Sequence, residues 1–197
     1  MCSSDLIAKV VNLPANLRCL YAHMLDIIGT CFNTSYMTYW TAHYASFAPG
    51  QSYAGHLSTI GSRASYVQTT INAAGGNSPF AITSATNLVT GTNLVLISGT
   101  APVTAHTLRI NGREYPITWT SISAWTMRVP VTEALQVLNI MAYDLRGQPL
   151  TNLTRTVSVT YTGASPDPAG VVVLNEIMYN PVAPDASYVE IFNTSSN

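Results

Sequence analysis

Polar and apolar residues alternate with period two through the middle of the chain. Val157, Val159 and Tyr161 alternate with Thr156, Ser158, Thr160 and Thr162; Trp125, Met127 and Val129 alternate with Thr126, Arg128 and Pro130. Tyr115, Ile117 and Trp119 obey the same rule, and Leu108 and Ile110 flank Arg109. This is the pattern of a strand with one face in a core and one in water. Asn111-Gly112 sits between two of these runs and predicts a type I′ hairpin turn, whose two central residues both need positive φ. Runs at 93–99 and 135–143, each closed by turn residues, add two strands. About six or seven short strands over 80–163, with no helical period among them, predict an antiparallel β-sandwich.

Upstream the period changes to that of a helix. Leu17, Leu20, Tyr21, Met24, Leu25 and Ile28 predict a helix from about Pro14 to Cys31, with Pro14 in its first turn. Asn33-Thr34-Ser35 reads as a break followed by an N-cap. Met37, Trp40, Tyr44 and Phe47 then mark a second helix that Pro49-Gly50 ends. Leu57, Ile60, Ala64, Val67 and Ile71 mark a third, from about Gln51 to Ala73, which Gly55 and Gly61 weaken. Three helices without another layer bury little, so this segment is not expected to fold well alone. Gly75-Gly76-Asn77-Ser78-Pro79 is the expected hinge into the strands. Beyond the sandwich, 164–170 with Pro166 and Pro168 reads as a linker.

Composition narrows the function classes. Apolar residues make up 47% of the 197, enough for a core, whereas charged residues are only 9% and Lys9 is the sole lysine. Thr, Ser, Asn and Tyr take the polar positions, a surface of the kind associated with extracellular bacterial proteins. A net charge of −1 with no basic cluster excludes a nucleic-acid groove and a polybasic membrane patch. No apolar run approaches the roughly 20 residues of a membrane span. Met1–Leu6 has no signal-peptide pattern. Reverse-translated from a GTG start, it matches a sequencing adapter, so it is expected to be an assembly artefact with coding sequence beginning near Ile7. At the other end the chain stops just after the strand-like run 188–192, as a truncated domain would.

Candidate chemistry is sparse. His23, His43 and His56 have no i, i+3 or i+4 spacing, and no CxxC or HxxxH pair accompanies them. Cys19 and Cys31 lie about 18 Å apart along one helix, beyond disulfide reach, and are expected as buried thiols. Asp26 is the only acidic residue between Asp5 and Glu114, and one carboxylate cannot supply a paired acid and base. Glu176 and Glu190 could meet across the last two strands, either as a paired-carboxylate or Ca²⁺ site or as solvated side chains. Asp144 and Asp167 read as turn residues. Asn33, Asn152 and Asn193 head glycosylation-type triplets, a pattern common by chance.

Three stretches resemble known families. Arg18–Asp26 (Arg-Cys-Leu-Tyr-Ala-His-Met-Leu-Asp) and Leu57–Ile71 resemble the C-terminal helices of the spore coat protein H (CotH) kinase-like domain, although only Arg63 remains of the charge on the final helix. The resemblance places that family's nucleotide- and metal-binding residues upstream of these helices, and no phosphate loop occurs here. Leu108-Arg-Ile-Asn-Gly, Trp125-Thr-Met-Arg-Val-Pro-Val and 138–147 are similar to bacterial immunoglobulin-like modules found between domains of secreted proteins. Val171-Val-Val-Leu-Asn-Glu-Ile-Met-Tyr-Asn-Pro, followed by Tyr188-Val-Glu-Ile-Phe-Asn, is similar to the first two strands of a lamin tail domain.

Together these readings predict an α+β chain in separate segments. A helical remnant over 7–75 precedes an antiparallel immunoglobulin-like β-sandwich over 80–163, and 171–197 forms a β-hairpin from an incomplete lamin tail domain. The function expected is that of a non-catalytic structural or interaction segment of a secreted or cell-surface bacterial multidomain protein. Two alternatives are a remnant of an ATP-dependent CotH-type kinase and a carbohydrate-binding sandwich using Trp119, Trp125 or Tyr143 as a stacking platform. No catalytic, cofactor-binding or metal residue is assigned and no cofactor is expected. The partners expected are other domains of the same chain, a surface protein or a glycan, without nucleic acid or a membrane span.

Overall fold

In a computed structural model that describes residues 3–164 and 168–194, the chain divides into two compact units, Met1–Thr162 and Gly163–Asn197. The helical segment 7–75 and the sandwich expected over 80–163 lie together in the first, all but Gly163, with which the second begins. Pro166 and Asp167, read above as linker and turn residues, fall outside the described residues, as does Ser195 of the last glycosylation-type triplet.

Four helices open the first unit: α1 (Ser3–Val11), α2 (Pro14–Thr30), α3 (Thr34–Ala45) and α4 (Tyr53–Ala73). The extra helix, α1, is nine residues long, too short for its period to stand out. Pro14 occupies the first turn of α2 as expected, because its missing N–H would have no helical partner there. Asn33 caps α3, its side-chain oxygen accepting from the Tyr36 N–H at 2.8 Å. The glycines after α4 are no free hinge. Gly75 takes φ +88°, the Gly76 N–H donates to the Ile71 carbonyl at 2.8 Å, and the Gly76 carbonyl accepts from the Val103 N–H at 2.8 Å. The helix is thus closed and tied to the strands in one turn.

Nine strands follow: β1 (Ala81–Ile82), β2 (Asn87–Thr90), β3 (Leu94–Thr100), β4 (Thr107–Ile110), β5 (Arg113–Glu114), β6 (Ile117–Trp119), β7 (Ala124–Pro130), β8 (Leu135–Tyr143) and β9 (Pro149–Tyr161). They form a four-stranded sheet ordered β1-β3-β7-β6 and a five-stranded sheet ordered β2-β9-β8-β4-β5. Every pairing is antiparallel except β2 with β9. The chain's first strand runs in one sheet as β1, then crosses to flank the last strand of the other as β2. This is the strand order of an immunoglobulin-like sandwich. The Asn111-Gly112 turn has φ of 49° and 80°, as a type I′ turn requires. The run 115–119 is not the hairpin's continuous second strand, however. Two residues of β5 pair with β4, then Pro116, which has no N–H to donate, lets the chain leave for the other sheet as β6.

The inward residues of both sheets make one core. Ile97, Val129, Leu138, Ile140, Val157 and Val159 are fully buried, with Trp125 at 1% exposure among them. Among the described residues no helical side chain joins that core; the helices bury Ala22, Ala64, Ile71 and Arg18 instead.

The second unit is an antiparallel pair, β10 (Val172–Met178) and β11 (Tyr188–Asn193), with a bulge between Leu174 and Glu176. All six residues of β11 are exposed.

Candidate functional site

Three polar or aromatic constellations stand out, and each begins with a residue that sequence patterning left aside. The first is Arg18, one turn into α2 and 4% exposed. Its guanidinium donates to the carbonyl oxygens of Ala101 (3.1 Å), Pro102 (2.8 Å) and Ala105 (2.8 Å) on the β3–β4 connection. A further bond goes to the Ile122 carbonyl in the β6–β7 turn. Its Cζ lies 3.4 Å from the centre of the Trp119 ring. Burial pulls its pKa down to about 9, while the carbonyl acceptors favour the charged form, so the group is cationic at neutral pH. This side chain fastens the helices to one end of the sandwich. Its hydrogen bonds go to main-chain carbonyls and its face to the Trp119 ring, so it acts as a clamp.

The second lies between α2 and the β8–β9 turn, where a cleft of about 380 Å³ is lined by Leu25, Asp26, Thr30, Asp144, Arg146 and Leu150 among others. Arg146 grips Asp26 bidentately at 2.6 and 2.9 Å, and this bond and charge raise its pKa. Asp144 is the turn residue expected: its Oδ1 accepts from the N–H groups of Arg146 and Gln148, each at 2.8 Å. Both carboxylates therefore accept from protein donors.

The third is aromatic. Along α3, Tyr36, Tyr39, Trp40, His43, Tyr44 and Phe47 touch in a continuous ladder, with ring centroids 5.0–6.3 Å apart. A groove of about 520 Å³ between α3 and α4 is lined by Met37, Trp40, Thr41, Tyr44, Tyr53, His56 and Ile60. Met37, Trp40, Tyr44 and Phe47, the residues that marked this helix in the sequence, are none of them buried.

Of the rings named for a stacking platform one is buried and two are half-buried. Trp125 is in the core, Trp119 lies under Arg18, and Tyr143 lies under Arg109 with Cζ 4.4 Å from the ring centre. His23, His43 and His56 are exposed, and among the described residues no three His, Cys, Asp or Glu side chains form a metal-holding group. Cys19 is half-buried, but Cys31 is exposed, contrary to the buried thiol expected, because the end of α2 lies open to solvent. Glu176 and Glu190 do meet as direct cross-strand partners. Each also meets a protein donor: the Asn175 amide donates to Glu190 at 3.0 Å, and Tyr188 bonds Glu176, which raises the Tyr188 pKa. Among the described residues no helix is long and apolar enough to cross a membrane.

No protein-family model matches the chain, and no curated protein matches it either. Among solved structures it is similar to the fibronectin(III)-like modules of Clostridium thermocellum CbhA, with 17% identity and a TM-score of 0.30 over 43% of this chain and 97% of that one.

Proposed function

We propose that this chain is a non-catalytic structural or interaction segment of a secreted or cell-surface bacterial multidomain protein. In this reading the helices are the C-terminal end of a CotH kinase-like domain, the sandwich is a spacer, and β10–β11 opens a lamin tail domain. One contrast carries it: the sandwich closes a core of its own, while the apolar residues of β11 stay outside any core. A two-stranded hairpin is marginal in water, so β10–β11 needs further strands, and other domains of the same protein are the partners that supply them. The carboxylates of the α2 cleft are held by protein donors, which supports a chain without chemistry of its own. Calorimetric titration of the chain with ATP and Mg²⁺ tests the reading. No heat of binding is expected, and saturable micromolar binding would return the chain to the kinase-remnant alternative. The carbohydrate-binding sandwich has less support, because Trp125 is in the core and an arginine lies over the ring of Trp119 and of Tyr143.

A further inference from the structure

The aromatic ladder of α3 has a shape and composition of its own. Tyr36, Tyr39, Trp40, His43 and Tyr44 are spaced i, i+3, i+4, i+7 and i+8, so their rings fall on a single stripe of the helix, and Phe47, two residues past its end, extends that stripe by its contact with His43 at 5.5 Å. The groove to α4 runs along one flank of that stripe, through Trp40 and Tyr44. Tyr39 and Phe47 are 68% and 73% exposed, and every ring of the stripe is exposed to solvent. No Asp, Glu, Lys or Arg occurs from Ile27 to Ser62, so the stripe and both walls of its groove carry no formal charge. Trp and Tyr without Lys, Glu or Asp is the composition of the centre of a protein interface, where such rings supply most of the binding energy. A glycan platform needs open, coplanar rings. Here Tyr39–Trp40, Trp40–His43 and His43–Tyr44 meet edge to face, at 82°, 86° and 82°, while Trp40–Tyr44 is near parallel at 22°; the three edge-to-face contacts corrugate most of the stripe, which suits interdigitating side chains.

We propose that this stripe is the contact between two copies of the chain, packed α3 to α3 about a two-fold axis. Two observations favour a second copy. A face without formal charge meets itself with no like-charge repulsion, the requirement of an isologous interface. The area also suffices: Tyr36, Tyr39, Trp40, Tyr44 and Phe47 are each between 37% and 73% exposed. At about 150–250 Å² per aromatic residue they offer on the order of 500 Å² per copy. The pair then buries roughly 1,000 Å², the lower bound of a specific interface and the range of a weak, reversible dimer. The contact also gives α3, whose residues are at most half-buried within its own chain, further packing of the kind a 12-residue helix needs.

Sedimentation equilibrium of the 197-residue chain, from low to several hundred micromolar, tests this independently of nucleotide binding. A reversible monomer–dimer equilibrium is expected. Tyr39→Glu with Phe47→Glu, both at exposed positions, places like charges across the axis and weakens the dimer at least about tenfold. The corresponding Lys double variant does the same alone, and mixing the Glu and Lys proteins restores association as a heterodimer. That rescue separates this face from the exposed β10–β11 hairpin and shows that the variants fold. A chain monomeric throughout the range overturns the proposal, as does a dimer indifferent to these charges. A monomer whose Trp40 fluorescence shifts on titration with a neutral oligosaccharide also overturns it, in favour of a glycan.

Discussion

Burying a guanidinium removes its hydration, and at Arg18 four main-chain carbonyls and the face of Trp119 replace it. Removing the side chain leaves those carbonyls without their donor in a confined space. Arg18→Met is therefore expected to destabilise the chain by at least about 3 kcal/mol in urea denaturation. Arg18→Lys recovers less than half of this, because an ammonium cannot reproduce the planar fork. With its pKa near 9 the clamp keeps its charge below that pH, so the loss is the same at pH 6 and pH 8. Tyr188 behaves in the opposite sense. Its bond to Glu176 exists only while the phenol is protonated, so its pKa lies above the ordinary 10.0. What the bond contributes to the hairpin is present below pH 10 and lost as pH rises through the raised value. Ultraviolet titration of Tyr188 is expected to show the raised value, and Glu176→Gln to bring it back towards 10.

Strand pairing around Trp125 depends on the absence of a side chain. Gly99 pairs with Ile82 on one side and Trp125 on the other. A Cβ there would meet the Ala81 carbonyl oxygen and the Trp125 ring well inside van der Waals contact. Gly99→Ala is expected to cost more than about 2 kcal/mol, read by urea denaturation, because β1 or the indole must move within a packed core. Period-two patterning located β3, β7, β8 and β9, since each has one buried face. It misjudged 115–119, because alternation says which residues point inward and nothing about which sheet a strand joins. Tyr115 and Ile117 both pack against the core from opposite sides of the Pro116 crossing.

Across the molecule, burial separates a cohesive sandwich from elements that hold little apolar surface inside. Hydrogen exchange is expected to be slowest in β7, β8 and β9, whose inward residues are fully buried, and fastest in β10 and β11, where opening exposes almost nothing new. The helices stay on the sandwich through a polar clamp and a glycine turn, which hydrophobic periodicity could not anticipate. Arg18 was legible only as one residue of a helical stretch, and its acceptors lie more than 80 positions away.

Local preferences were enough to determine the type and limits of most elements: alternation for the strands, Asn111-Gly112 for the turn, and Pro14 and Asn33 for the helix starts. These depend on neighbours within a few residues, and such neighbours are given by order along the chain. Tertiary structure alone decided that Trp119 and Tyr143 lie beneath arginines, that Asp26 is taken by Arg146, and that the apolar stripe of α3 faces outward. A periodic stripe specifies a face, but whether that face is buried depends on what the rest of the chain brings to cover it.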